Sequence, residues 1–390
     1  MLRFLTAGES HGPAEVAILE GMPAELSLTY KDINRELKKR HSDYGRGGRA
    51  KIEKDEVEIL SGIRFGKTLG GPIALLIRNE DFKNWSEKMS IEENDSADNR
   101  TIKVTKPRPG HADLAGVIKY GFDDIRNVLE RASARETVMR VAVGAICKRF
   151  LDEFKIKIAS HTISIGKVII TKTDYSFDDV NSIFEVDPDV HCVDGKTREK
   201  MKQEILNARK NKDTLGGIVE IMAANVPVGL GSHVHYDRKL DGRLAQALIS
   251  IPSVKAVEIG TGIEISTKTG KQVQDKLYLR QSKKIVRETN NMGGIEGGIS
   301  NGENIVCRVY HKPLSTIYDP LPTFDIKTGK PAVAQVERSD ICVVARAGVI
   351  SEAMVAFVLS QALLEKFGGD SILEIKRNFE SYKKHMLLST

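Results

Sequence analysis

The sequence predicts an α+β fold with largely antiparallel sheets. Short apolar or alternating runs of strand length recur from Val16 to Val309, and they do not alternate with helices in a regular βαβ order. Helical periodicity is concentrated between Val138 and Phe150 and again toward the C-terminal end. No Pro/Ser-rich linker, internal repeat or low-complexity tract interrupts residues 1–390, so a single unit is the economical reading.

Val16-Ala17-Ile18-Leu19 reads as a short strand closed by Gly21-Met22-Pro23. Thr29 and Asp32 form a capping signature for a helix running through Ile33 and Leu37 to Arg40. Val57-Glu58-Ile59 and 72–77 read as strands, the second apolar throughout and therefore expected to be buried on both faces. Between Asn79 and Lys106 the chain turns polar, as a surface excursion would. Val138, Val141, Ala142, Ala145, Ile146 and Phe150 then fall on one helical face. This helix starts just after Arg131-Ala132-Ser133-Ala134-Arg135, so an anion near Ser133 would meet free N–H groups and a favourable dipole. Further strands are expected over 163–165, 217–221, 254–259 and 304–309, and helices over 241–249, 351–367 and 372–386. Gly368-Gly369 stops the penultimate helix, and Asp370 is placed to cap the last.

With 41% hydrophobic and 29% charged residues, the chain can build a substantial core. It contains no run of about 18 apolar residues, and its N-terminal apolar stretch is too short for a signal peptide, so a cytoplasmic protein without a membrane partner is expected. Cys147, Cys192, Cys307 and Cys342 are far apart in sequence, which indicates buried reduced thiols rather than a zinc site or a disulfide framework. A net charge of +6 fits nucleic acid, a membrane surface or small anionic ligands. Arg40, Arg46, Arg49, Arg108, Arg131 and Arg135 cluster near glycines and hydroxyls, an arrangement suited to gripping phosphate or carboxylate; a solvated basic face is the alternative for any one of them. No aromatics interleave with these arginines, which argues against a base-stacking platform.

Two histidines sit in glycine-flanked loops, His11 in Gly8-Glu9-Ser10-His11-Gly12 and His111 in Pro109-Gly110-His111-Ala112-Asp113. Imidazole titrates near neutrality and glycine allows close backbone approach, so the pair suggests proton transfer. Neither a G-x-G-x-x-G turn between strand and helix nor a P-loop is present. The glycines of 290–302 suit either backbone approach to a flat ring or an ordinary hairpin. Lys312-Pro313-Leu314-Ser315-Thr316 combines a cation with two hydroxyls, which suits a phosphate group. His233 and His235 permit a metal reading if they lie on a strand, with sheet-edge histidines as the alternative, and no metal is expected. Asp340, beside Arg338 and ahead of a buried-looking strand, can orient a histidine, act as a base or form a structural ion pair.

Three long segments then converge on one family. Gly8-Glu9-Ser10-His11-Gly12 through Glu20-Gly21-Met22-Pro23, Glu130-Arg131-Ala132-Ser133-Ala134-Arg135-Glu136-Thr137, and Arg338-Ser339-Asp340 through Ser351-Glu352-Ala353 closely resemble the signatures of the chorismate synthase family. The resemblance spans nearly the whole chain and implies a β-sandwich core surrounded by helices, assembled as a homotetramer. It implies conversion of 5-enolpyruvylshikimate 3-phosphate to chorismate and phosphate, an anti 1,4-elimination that requires reduced FMN (FMNH2) without net redox change. This is the last step of the shikimate pathway in aromatic amino-acid biosynthesis.

By the same resemblance, His11 would protonate the departing phosphate and His111 would manage protonation at the flavin N1. Asp340 would help the flavin N5 region to accept the C6 proton. The FMN pattern maps to Arg131, Ala132, Ser133, Gly297, Lys312, Pro313, Leu314, Ser315, Thr316 and Arg338. Ser10, Arg49, Arg108 and Arg135 are implied substrate contacts, while Arg40 and Arg46 match positions assigned to NADPH in members with built-in flavin reductase activity. One departure stands out: Pro252-Ser253 replaces the family's usual Asn-Ala, removing an amide that can bond to flavin. No flavin-reductase domain is recognisable, so an external reductase or reductant is expected, with NADPH use left open. A basic RNA-binding protein with structural histidines is the alternative, but it leaves the three ordered segments unexplained.

Overall fold

Inward-facing apolar residues at every second position build the first sheet. In the computed structural model, which describes residues 1–41, 44–45, 54–92, 103–172, 175–281, 284–337 and 339–385, four strands form it. These are β1 (Arg3–Ala7), β2 (Ala14–Glu20), β3 (Glu58–Ile59) and β4 (Ile73–Arg78). Their order is β1-β2-β4-β3, with every pair antiparallel. Ile73, Leu75 and Ile77 are buried, whereas Ala74 and Leu76 are only half-buried. The expectation that this apolar run is buried on both faces is therefore corrected: an antiparallel sheet covered on one side needs only one dry face.

A second sheet contains β5 (Lys157–Ile165), β6 (Val168–Ile169), β7 (Gly217–Ala224), β8 (Val254–Ile259) and β9 (Ile305–His311). Its order is β8-β9-β7-β5-β6, again antiparallel throughout. The longer helices are α1 (Tyr30–His41), α2 (Asp113–Tyr120), α3 (Thr137–Asp152), α4 (Gly195–Lys210), α5 (Leu240–Ile249), α6 (Val344–Phe367) and α7 (Ile372–His385).

Helix α3 packs on β1, β2 and β4, α6 packs on β5 and β7, and the two helices pack on each other. The sheets are thus separated by helices, which corrects the picture of a sandwich with helices only around it. A helix in that layer must be apolar nearly all round. Met139, Val143, Cys147 and Leu151 are accordingly buried in addition to the expected stripe on α3. Gly144 permits the closest approach, since a Cβ there would lie 2.2 Å from the Ala353 side chain. By length and composition α6 could cross a membrane, but 83% of its most apolar window is buried inside the fold.

Two boundaries also differ from expectation. The segment after Asp340 is no strand: it makes one isolated bridge, Leu215 to Cys342, and α6 begins at Val344. Packing between the sheets overrides the β-branched run there. Ser371, rather than Asp370, caps α7 by accepting from the Glu374 N–H at 3.4 Å, while Glu374 accepts from the Asp370 N–H at 3.0 Å. The four cysteines are buried.

Candidate active site

Loops at the ends of these layers enclose a cavity of about 400 Å³. Ser10, His11, Arg40, Arg108, His111, Ala132, Ser133, Arg135, Pro252, Ser253, all of 312–316 and Asp340 line it. Residues expected from segments far apart in sequence are therefore brought together.

At one side, the left-handed Gly8 and the turn that follows carry His11 beyond the end of β1. Its Nδ1 lies 2.9 and 3.0 Å from the Glu130 carboxylate oxygens, and its backbone N–H also donates to Glu130 at 2.9 Å. Arg126 donates to the same carboxylate at 2.7 Å. Burial raises the Glu130 carboxyl, but the bonds from His11 and Arg126 outweigh it and hold the group below its ordinary range. The other face of the imidazole stacks on Trp85, with centroids 3.8 Å apart, and Arg126 lies over the same indole.

Asn79 ties this loop to the arginines. It donates to Gly12 O at 2.7 Å and accepts from Arg135 Nε at 2.9 Å. Ser133 Oγ donates to Ser10 Oγ at 3.0 Å and accepts from the Arg135 N–H, capping the short turn Ala134–Glu136 ahead of α3. Arg135, Arg40 and His41 converge on buried Asp55, the last two at 3.1 and 2.5 Å. Burial raises the Asp55 carboxyl, yet His41, Arg135 and Arg40 together drive it far below the usual range.

The second side is organised by α2, which begins at Asp113. His111 Nδ1 lies 2.5 Å from Asp113 Oδ1, and Arg108 reaches Asp113 through its backbone N–H, Nε and Nη2 at 2.8–3.0 Å. Burial raises this carboxyl too, but the bonds from His111 and Arg108 and their charges push it well down. Arg108 Nη1 donates to Thr316 Oγ1 at 3.0 Å. Lys312 Nζ donates to Gly110 O and Ser315 Oγ, both at 2.7 Å, while burial and the charge of Lys255 lower the ammonium pKa. Asp340 pairs with Arg346 at 2.9 Å.

Two expected residues do not line the cavity. Arg131 turns to β1, donating to Thr6 O at 2.9 Å and Gly8 O at 3.2 Å, and so braces the His11 loop from behind. Gly297 occupies the turn of the hairpin formed by Ile295–Glu296 and Ile299–Ser300, at φ +60° with open space around it. Arg46, Arg49 and Arg338 lie outside the described residues. His233 and His235 lie in an exposed irregular segment, which corrects the strand placement on which the metal reading depended.

Sequence reasoning did not assign Glu130, Asp113, Asp55, His41, Trp85 or Arg346. Glu130 and Asp113 stood inside quoted motifs, and their acidic type beside histidine loops was an available signal. Asp55 and Trp85 carried none, because only folding brings Trp85 to the cavity and Asp55 to the arginines that line it.

The family model described as chorismate synthase matches residues 2–364. The chorismate synthase of Aquifex aeolicus (strain VF5) is 52% identical over 392 residues, covering 99% of this chain and 98% of that protein. The chorismate synthase of Geobacillus sp. (strain WCH70) is 50% identical, covering 98% and 99%. A crystal structure of chorismate synthase superposes with a TM-score of 0.79 at 43% identity, covering 98% of each chain. The family motifs thus lie on a shared fold over the full length, and the chain belongs to the chorismate synthase family, enzymes that act as lyases in the shikimate pathway.

Proposed function

We propose that the cavity binds 5-enolpyruvylshikimate 3-phosphate together with reduced FMN and releases chorismate and phosphate by an anti 1,4-elimination. The observation that carries this reading is the enclosure of two carboxylate-paired histidines, from separate loops, with the buried Arg40, Arg108 and Arg135. Cations compensated inside a cavity suit a small polyanion better than an extended nucleic acid.

The lining fits a flavin in its chemistry. Leu129, Ile251, Leu314 and Ile350 offer apolar walls, and Lys312, Ser315 and Thr316 offer a cation and hydroxyls. Gly110, at φ +75°, keeps that region clear, because a Cβ there would stand 3.3 Å from Lys312 Nζ. When bound, reduced FMN supplies electron density to the allylic system as phosphate departs.

The chain's own groups account for the proton movements. His11 uses Nδ1–H to hold Glu130, which assigns Nε2–H the task of protonating the departing phosphate, and Glu130 stabilises the imidazolium. Arg135 and Arg40 hold substrate anions while Asp55 fixes their guanidinium groups. Asp340, kept beside Arg346, would help the flavin side to accept the proton leaving C6. His111, held by Asp113, which Arg108 fixes in turn, guards the protonation state on the flavin side.

Resemblance to the family supports a cytoplasmic homotetramer served by an external flavin reductase. Arg40, with Arg46, is the candidate contact for NADPH. Anaerobic assays with photoreduced FMN test the reading: phosphate and chorismate should form in equal amounts, and oxidised FMN should support neither. Phosphate release independent of reduced flavin would overturn it.

A further inference from the structure

Beside the cavity lies a contact that the family pattern does not supply. Ser253, which replaces the usual alanine, lines the cavity, and its Oγ lies 2.9 Å from His311 Nδ1. His311 ends β9 on the inward face shared with Cys307 and Val309, and it is 6% exposed. Its Nε2 has no hydrogen-bond partner among the described residues.

The backbone shows that the site is held on purpose rather than by slack. Ser253 adopts φ +74°, a left-handed conformation that is strained for a non-glycine residue. Its carbonyl accepts from the Lys312 N–H at 2.9 Å, and Val254 pairs with His311 across the β8–β9 ladder. The serine is therefore pinned to the end of β9 by main chain and side chain together.

One hydrogen lies between Ser253 Oγ and His311 Nδ1, and it can belong to either atom. If serine donates it, neutral His311 carries its other hydrogen on Nε2, leaving a buried N–H without an acceptor. Orphaned buried N–H groups are rarer than orphaned acceptors. If imidazole donates it, Nε2 is a bare lone pair and the serine hydroxyl hydrogen remains available to the cavity. Burial pushes the His311 pKa down to about 4, so the ring is neutral at pH 7 in either case.

We propose that His311 is a positioning residue: its Nδ1–H donates to Ser253 and commits the serine hydroxyl as a hydrogen-bond donor to the flavin in the cavity. The inference rests on the flavin reading of the cavity.

Its test compares FMN binding, by calorimetry, in the full-length protein and in Ser253→Ala, His311→Leu, His311→Asn and the Ser253→Ala/His311→Leu double variant. Loss of one neutral hydrogen bond predicts about fivefold weaker binding for Ser253→Ala and for His311→Leu. The double variant should be no weaker than either single one. His311→Asn, whose Nδ2–H can replace Nδ1–H, should restore affinity to within about twofold. Circular dichroism confirms that each variant is folded, and ¹⁵N-imidazole NMR reads the tautomer directly. An Nε2–H tautomer, independent losses that multiply in the double variant, or a folded His311→Leu protein with wild-type affinity would each overturn the proposal. A wild-type protein that binds no FMN would instead remove the flavin reading itself.

Discussion

The two histidine sides of the cavity use the same element, an imidazole bound to a carboxylate, yet they differ in what surrounds it. Glu130 serves His11 through side chain and backbone and takes a single bond from Arg126, which also pairs with Glu337, while Trp85 covers the ring. Asp113 is held by three bonds from Arg108 in addition to His111. More of the Glu130 charge is therefore available to stabilise a positive ring, which suits a proton donor to phosphate. At His111 the arginine already neutralises the carboxylate, which suits a ring that regulates rather than delivers a proton. Under the proposed reading, similar pairs thus take different tasks according to the third partner.

Removing each histidine should break this symmetry most strongly. His11→Ala should lower kcat by about 10²–10⁴, the usual contribution of a general acid, with little change in FMN affinity. His111→Ala should lower kcat less and weaken FMN binding as well. Anaerobic phosphate release and flavin titration measure both quantities, and equal profiles for the two variants would abolish the distinction.

The anchoring carboxylates sharpen the same contrast through stability. Asp55 compensates Arg40, Arg135 and His41, whereas Asp113 compensates Arg108 and His111. Asp55→Asn should cost roughly 3–5 kcal/mol in urea unfolding, because two buried guanidinium groups lose their partner. Asp113→Asn should cost less. Both folded carboxyls titrate below their ordinary value of 3.8, so their contribution is present above that pH and is lost as pH falls through the folded value. Each variant should therefore be less acid-sensitive than the wild type.

How much of this was legible depended on whether a residue's partner was near in sequence. His11, His111, Ser133, Arg135 and 312–316 were readable because glycine, hydroxyl and basic residues gather in short segments. The Glu130 to His11 pair spans 119 positions, and Asp55 reaches Arg135 across 80, so neither has a local signature. Trp85 was hidden in a polar stretch that reads as surface, although buried Asn79 and Asp81 anchor it at the cavity. The same limit applied to the fold. Periodicity located α3 and part of α6, but a burial pattern covering all sides emerges only when both helices lie between sheets.

Behind the His11 loop, Glu15 offers a smaller and pH-dependent test. It is 1% exposed on β2, with Gly8 against its Oε2 and Arg131 3.8 Å away. Burial raises its carboxyl from 4.5 to about 7, with Glu136 and Glu9 adding to the rise and Arg135 and Arg131 opposing it. Between those values the folded protein binds a proton that the unfolded chain has released, so stability should fall as pH rises from 4.5 toward 7. Glu15→Gln should remove that slope and stabilise the protein at pH 8 by about 2–3 kcal/mol. Asp113→Asn should leave that slope in place, because the folded Asp113 carboxyl shifts the opposite way and titrates below the window.

Trp85 gives the mildest perturbation and the most direct view of one histidine. It is the only tryptophan in the chain, and its ring lies 3.8 Å from that of His11. Trp85→Phe keeps an aromatic surface but loses the larger face and the indole N–H bond to Asp81, which is 3.2 Å long. The expected cost is about 0.5–1.5 kcal/mol in transition-state stabilisation, or up to about tenfold in kcat. In the wild type the imidazole stacked on the indole should set the Trp85 emission, so the spectrum reads the His11 contact directly. His11→Ala should therefore change the emission spectrum and His111→Ala should preserve it. An emission spectrum unchanged by His11→Ala would mean that Trp85 reports another group, and the stacked ring would no longer distinguish the two sides of the cavity.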